Sequence, residues 1–118
     1  EREFAQAGNT RTGCGFITWS LAKQPHLLTA ALAHRPAALM LSFGDPAPFA
    51  AEIASAEIPL ICQCQSLDHV RQALDAGAAI IVAQGGEAGG HGHRRATFPF
   101  VPEVADLLAR GRRIAELR

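Results

Sequence analysis

The segment Pro59–Gln84, PLICQCQSLDHVRQALDAGAAIIVAQ, decides the fold class. It begins and ends with aliphatic runs of strand length, and its middle carries the start and stop signals of a helix. Ser66 is a good N-cap for LDHVRQALDA, and Gly77 stands where a helix commonly ends on a C′ glycine. Strand, helix and strand in this order predict a βαβ unit, in which the two strands are parallel.

The same unit recurs along the chain. Runs typical of strands lie at GFITW (15–19), ALMLSF (38–43), PLICQCQ (59–65) and AIIVAQ (79–84). Equivalent positions in successive runs are 23, 21 and 21 residues apart. The runs are almost continuously apolar, which is typical of parallel strands that are covered on both faces. The segments between them carry helix signals: Pro25 opens one helix, and Asp45 caps another with Pro46 at its first position.

The sequence therefore predicts an α/β protein with four parallel strands and intervening helices. Two architectures fit this pattern. A doubly wound sheet can be complete with few strands, whereas a TIM barrel typically needs eight strands and about 250 residues, so that four βα units would form about half of one.

Composition and charge exclude several functional classes. The 118 residues are 48% hydrophobic and 19% charged, with a formal net charge of zero, which fits one globular domain at most and argues against disorder. Zero net charge gives no reason to expect a nucleic acid or an anionic membrane as partner, and no apolar run reaches the roughly 18 residues of a membrane span. Three cysteines without an export signal predict reduced thiols in the cytoplasm.

Glutamines lie near the carboxyl ends of the last two predicted strands. Gln63 and Gln65 share one strand face, opposite Cys62 and Cys64, and Gln84 ends the fourth strand. Sites of α/β proteins lie at this end of the sheet. A glutamine amide both donates and accepts hydrogen bonds, which suits the edge of a heterocycle. The alternative is a glutamine that is satisfied by loop backbone.

A glycine-rich segment, VAQGGEAGGHGHRR (82–95), follows the fourth strand. His91 lies just past the strand end and is a candidate general base, because histidine titrates near neutral pH. The alternative for any loop histidine is simple exposure to solvent, and His93 is assigned to it. Zinc is a further option for His91, His93 and the two strand cysteines, but the cysteines are expected to face a helix, so no metal is predicted.

The motifs GFITW, LSFGDP, LICQCQ and VAQGGEAGGHG together resemble the nitronate monooxygenase family, also called 2-nitropropane dioxygenases. The resemblance extends from about Gly13 to Leu108. It implies an FMN-dependent TIM barrel that oxidises alkyl nitronates, and often nitroalkanes, with dioxygen to carbonyl compounds and nitrite, without a metal. It also implies that residues 1–118 form a partial barrel, truncated at both ends, whose four strands correspond to barrel strands three to six.

The resemblance implies roles for individual residues. Gln84 and Gly89 match flavin-contacting positions, and we assign Gly90 and Gln63 to the same cofactor site. His91 matches the histidine that removes the α-proton of a nitroalkane. The glycines of the loop, at 85, 86, 89 and 90, would let backbone pack beside a flat ring, since they carry no Cβ.

Two alternatives remain beside this function. The chain could be a non-catalytic remnant that neither binds FMN nor turns over nitronate, or a related flavin oxidoreductase of the enoyl reductase type that uses a reduced nicotinamide. The expected partners are a small-molecule nitronate or nitroalkane and dioxygen, with no nucleic acid and no membrane. Half a barrel would also leave two unpaired strand edges, which predicts self-association.

Overall fold

The computed structural model describes residues 2–91 and 94–116. The helices are α1 (Arg2–Ala7), α2 (Thr18–Leu21), α3 (His26–Ala33), α4 (Ala47–Ser55), α5 (Leu67–Asp75) and α6 (Thr97–Glu116). The strands are β1 (Cys14–Ile17), β2 (Leu39–Ser42), β3 (Leu60–Cys64) and β4 (Ile80–Ala83). None of these helices is long and apolar enough to cross a bilayer.

The four strands form one parallel sheet in the order β1-β2-β3-β4. Each strand lies beside the next one in the chain, with a helical segment between them. A doubly wound sheet would instead reverse its strand order at a switch point. The predicted α/β class is confirmed, and the strand order identifies the architecture as half of a TIM-type barrel.

The hydrophobic core lies between the helices and one face of the sheet. Alternate residues of each strand point to this face, among them Leu39 and Leu41 of β2 and Leu60 of β3. The helices contribute Leu28, Leu32, Phe49, Ile53, Val70, Phe100 and Val104 to the same cluster. Burial of these side chains is what holds the helices in place on the sheet.

The opposite face of the sheet is open, so the expectation that the strands are covered on both faces was wrong. Burial alternates along β1 and β4, and Ile17, Ile80 and Val82 are exposed. In a closed barrel this face would line the interior, where side chains of the remaining strands fill the space. Continuous apolar runs are typical of strands that are covered on both faces, but in this chain the helices cover only one face of the sheet.

Most of the predicted helix signals are confirmed. The Ser66 Oγ accepts a hydrogen bond from the His69 N–H at 3.2 Å, and Gly77 follows α5 with φ of +80°. Asp45 also caps α4, because its Oδ1 accepts the Ala47 N–H at 2.9 Å. The end of the first strand was predicted wrongly. Thr18 and Trp19 begin α2, and the Trp19 N–H bonds to the Phe43 carbonyl at 3.3 Å.

Cys62 and Cys64 lie in the core, as expected for strand residues that face a helix. Burial raises the pKa of Cys62 from 9.0 to about 11, and burial together with the neighbouring Cys62 raises that of Cys64 to about 12. A thiol whose pKa is higher in the folded state contributes stability below the unfolded pKa and loses it as pH rises toward the folded one.

We therefore expect the fold to be about 2 to 3 kcal/mol less stable at pH 10 than at pH 8, since both thiols would ionise only on unfolding. Urea denaturation at several pH values measures this loss. Cys64→Ala should remove about half of it. If the double variant Cys62→Ala/Cys64→Ala keeps the full alkaline loss, the buried thiols are not its cause.

Candidate active site

Four residues meet where β2, β3 and β4 end. Phe43 directly follows β2, Gln65 follows β3, Gln84 follows β4, and His91 returns to them from the glycine-rich loop. Because the strands are parallel, their carboxyl ends lie at one edge of the sheet. We call this group of four residues the rim cluster.

Gln65 is the centre of the rim cluster. Its buried side-chain amide donates to the Oε1 of Gln84 and to the backbone carbonyl of His91, each at 2.7 Å. These two bonds use both hydrogens of the amide nitrogen. The Gln84 N–H also continues the sheet by bonding to the Cys64 carbonyl at 2.9 Å. The loop that carries His91 is therefore fastened to two strands by one side chain.

Gln65 was not among the residues that the sequence assigned to the cofactor site, which included Gln63 of the same predicted strand. Gln63 is half-buried on the open face of the sheet, and its side chain has no hydrogen bond to any residue in the described ranges. The Gln84 Nε2 likewise has no partner among those residues. The available signal for Gln65 was that it is the last residue of its predicted strand, as Gln84 is.

The ring of His91 lies beside the ring of Phe43, with centroids 5.7 Å apart and planes inclined at 55°. Phe43 was not assigned to the site. Its φ of +61° is a backbone conformation that bulky residues rarely adopt. Such strain persists only where neighbouring structure enforces it, and it is concentrated at functional sites.

The turn around Phe43 is enforced by its neighbours. The Phe43 carbonyl accepts the Trp19 N–H, and Asp45 caps the next helix. Gly44 has φ of +154°, and a Cβ at that position would lie 2.9 Å from the Thr18 Cβ. The motif SFGDP thus combines a strained aromatic, a tightly packed glycine and a helix cap, which together fix the Phe43 ring against His91.

The glycine-rich loop is closed by its own contacts. The Gly86 N–H bonds to the Arg95 carbonyl at 2.7 Å, and the Glu87 carboxylate accepts the N–H and the Oγ1 hydroxyl of Thr97 at 2.8 and 2.7 Å. These hydrogen bonds hold the pKa of the Glu87 carboxyl below its usual range. Glu87 therefore caps the start of α6, and the loop is an ordered link between β4 and that helix.

The loop glycines serve different purposes. Gly85 is buried, and a Cβ there would lie 2.6 Å from the backbone of Thr97. The first residue of α6 therefore occupies the space that a side chain at position 85 would need. Gly89 and Gly90 are exposed, with no atom within 4 Å of a built Cβ, and Gly90 has φ of +83°. The backbone is thus accessible at Gly89 and Gly90, whereas α6 covers it at Gly85.

Arg95 has its partners outside the rim cluster. Arg95 pairs with Glu103, and its guanidinium lies 6.0 Å from the centre of the Phe100 ring. Arg94 is exposed, and His93 lies outside the described residues. No three His, Cys, Asp or Glu side chains come together to hold a metal within residues 2–91 and 94–116.

The chain was compared with known proteins. No family model matches it. It is 37% identical to "Putative monooxygenase Rv1533" of Mycobacterium tuberculosis, in a match that covers 75% of this chain and 27% of that protein. It is 40% identical to "Nitronate monooxygenase" of Paraburkholderia phytofirmans over 64% of this chain and 21% of that protein. The chain thus spans about a quarter of the length of the curated relatives that it matches.

Solved structures share its fold. FabK from Thermotoga maritima superposes with a TM-score of 0.77 at 24% identity, over 89% of this chain and 33% of that one. A single-residue mutant of the same FabK gives the same score and identity and is covered to 35%. The chain is thus similar in sequence to part of a putative monooxygenase and part of a nitronate monooxygenase, and its four consecutive strands have the fold of part of the barrel of FabK.

Proposed function

We propose that this chain carries the ring-binding and proton-abstracting part of an FMN-dependent nitronate monooxygenase. The reaction would oxidise alkyl nitronates and nitroalkanes with dioxygen to carbonyl compounds and nitrite. One observation carries the proposal: Gln65 fastens Gln84 and the His91 backbone together at the carboxyl rim of the sheet. The names of the two curated relatives support oxidation by a monooxygenase.

The rim residues fit the ring of a flavin. The Gln84 Nε2 and the amide of Gln63 are free to donate, and the Gln63 oxygen is free to accept, among the residues that the structure describes. A flavin ring presents amide-like donors and acceptors along one edge, which such side chains match. The open space at Gly89 and Gly90 allows a planar group to approach the backbone without a Cβ in its way.

When bound, FMN would supply the electron acceptor for the nitronate. The protein's contribution is binding, orientation and proton transfer. His91 is proposed as the base: a neutral imidazole nitrogen takes the acidic α-proton of a nitroalkane, and the imidazolium then holds that proton near the nitronate. The Phe43 ring lies on one side of the imidazole and Gln65 holds the His91 backbone, while the His91 side chain itself is exposed and so accessible to a substrate.

The proposed substrate is a small molecule, in keeping with the name of the second curated relative, nitronate monooxygenase. The proposed compartment is the cytoplasm. The three cysteines, Cys14, Cys62 and Cys64, are all free thiols, which favours a reducing environment.

Titration of the purified chain with FMN and with riboflavin, followed by flavin fluorescence, tests the proposal. We expect both flavins to bind with similar affinity, weaker than micromolar, because the residues proposed to bind contact the ring and not the phosphate. Gly89→Leu should abolish binding, since its side chain would fill the open space. Gly111→Leu is the matched control, because Gly111 is also exposed with no atom near a built Cβ.

The chain with flavin bound should consume oxygen when an alkyl nitronate is added. If neither flavin binds at millimolar concentration, the chain is a non-catalytic module instead. If flavin binds and is bleached by a reduced nicotinamide under anaerobic conditions, without nitronate turnover, the enoyl reductase type of chemistry replaces the proposed one.

A further inference from the structure

The hydrogen bonds of the rim cluster run in one direction. The His91 backbone carbonyl can only accept, so the Gln65 atom that lies 2.7 Å from it must be the donor Nε2. The same nitrogen lies 2.7 Å from the Gln84 side chain and donates its second hydrogen there, so the Gln84 atom must be the acceptor Oε1. A primary amide has one oxygen and one nitrogen. The end of Gln84 that remains for a ligand is therefore Nε2, which only donates.

Burial makes this direction costly to reverse. Gln65 is only 8% exposed. If its amide were turned over, two oxygens would face each other across the 2.7 Å to the His91 carbonyl, without a hydrogen between them. A buried acceptor without a donor is unfavourable. Gln84 is half-buried, and Gln65 is the one hydrogen-bond partner of its side chain among residues 2–91 and 94–116. Without Gln65, the Gln84 amide could therefore turn either way.

The backbones of both glutamines are fixed independently of the loop. The Gln84 N–H bonds to the Cys64 carbonyl at 2.9 Å, and the Gln65 N–H bonds to the His69 Nδ1 at 3.4 Å. In the loop, by contrast, the bond from Gln65 to the His91 carbonyl is the only hydrogen bond of residues 89–91 within the described part of the chain. Gln65 is thus the polar link between the sheet and the end of the loop that carries His91.

We propose that Gln65 is a positioning residue that joins two tasks of the site. It keeps the Gln84 amide turned so that its N–H groups are free for a ligand, and it holds the loop so that His91 stays at the rim. The ligand atom that meets Gln84 must then be an acceptor, such as a carbonyl oxygen or a ring nitrogen without hydrogen. The identity of that ligand as a flavin rests on the proposed function, whereas the orientation of the two amides does not.

Two substitutions of similar shape separate these tasks. Gln65→Met has no donor, so it should release the loop and leave the Gln84 amide free to turn. Gln65→Glu, ionised at pH 8, has only acceptors, so it should release the loop equally. It should also attract the Gln84 Nε2 and leave Oε1 as the free end. Gln72→Met is the matched control, because Gln72 is an exposed glutamine on α5.

Trypsin and NMR test the inference on the chain without a ligand. Cleavage after Arg94, which is exposed, should be about 10-fold faster in both Gln65 variants than in the wild type, and unchanged in Gln72→Met. In the wild type, the side-chain amide protons of Gln65 should exchange with water more slowly than those of Gln84. In Gln65→Glu, the Gln84 protons should become slow.

Several results of these two measurements would overturn the inference. They are fast exchange of the Gln65 amide protons in the wild type, wild-type cleavage rates in both Gln65 variants, and Gln84 protons that exchange as fast in Gln65→Glu as in the wild type. Circular dichroism shows whether each variant is folded. The wild-type exchange rates decide the orientation of the amides even if a variant fails to fold.

Riboflavin titration tests the consequence for the ligand. The affinity should fall about 10-fold in Gln65→Met, and about a further 10-fold in Gln65→Glu, in which Gln84 would present an acceptor to the ring. This difference between Gln65→Met and Gln65→Glu should disappear in a Gln84→Met background, because there is then no amide to turn. A difference that persists there would overturn the inference. If the wild type binds no riboflavin, the proposed function fails, and the cleavage and exchange rates still decide the inference.

Discussion

Gly85→Ala should destabilise the fold by about 3 kcal/mol or more. The added Cβ would lie 2.6 Å from the Cα and N of Thr97, and closer still to the Thr97 Oγ1. Backbone atoms at the start of a helix cannot move aside as the end of a flexible side chain can. The displacement would also break the bonds from Thr97 to the Glu87 carboxylate, a helix cap that contributes about 0.5 to 2 kcal/mol.

Urea denaturation of Gly85→Ala beside Gly89→Ala measures this effect. Neither glycine has a positive φ, so alanine is acceptable to both backbones, and the two variants differ only in the space around the new Cβ. At Gly89 no atom lies within 4 Å, and alanine there should be neutral or stabilising by a few tenths of a kcal/mol. Equal stability of the two variants would mean that α6 does not pack on Gly85 in solution.

His91→Asn should lower the turnover of a neutral nitroalkane by about 10²- to 10⁴-fold, the usual contribution of a general base. Turnover of a preformed nitronate should change little, because a nitronate has already lost the proton that His91 is proposed to take. Asparagine keeps a polar side chain of similar length and leaves the backbone carbonyl that binds Gln65 in place. The variant therefore tests the imidazole and not the anchoring of the loop.

Oxygen consumption with each form of the same substrate, on chain loaded with flavin, makes the measurement. His34→Asn is the control. His34 is exposed, directly follows α3, and stacks on Phe4 with 4.7 Å between the ring centres. It is not part of the rim cluster. It should affect neither substrate. An equal loss on nitroalkane and nitronate in His91→Asn would show that His91 supports the site in some way other than proton abstraction.

Local signals predicted the helices and strands well where the relevant contacts lie within a few residues. Ser66 and Asp45 cap the helices that follow them, because a cap needs only a side-chain oxygen two or three positions before the N–H that it accepts. Spacing between the apolar runs likewise predicted parallel strands, but it left their order in the sheet open between a doubly wound sheet and part of a barrel. The start of α2 was missed, because Trp19 bonds to Phe43, which is distant in sequence.

The candidate site was predictable in place but not in detail. The ends of the third and fourth strands do meet, and the loop with His91 does return to them. Strand alternation predicts that Gln63 and Gln65 share a face, so the sequence could not show which of the two amides bonds to Gln84. In the structure it is Gln65. Phe43 could be found only from its backbone conformation and from its distance to His91.

The sequence by itself determined the alternation and parallel direction of the strands, the helix ends and the position of a polar, glycine-rich rim. These features follow from periodicity, caps and turn residues, which act over a few positions of the chain. Only the tertiary structure decided that Gly85 makes room for Thr97, that Gln65 joins two strands to the loop, and that one sheet face is left open. The reason is physical: a residue's neighbours across the fold determine its free space, its hydrogen-bond partners and its exposure, and no local pattern specifies them.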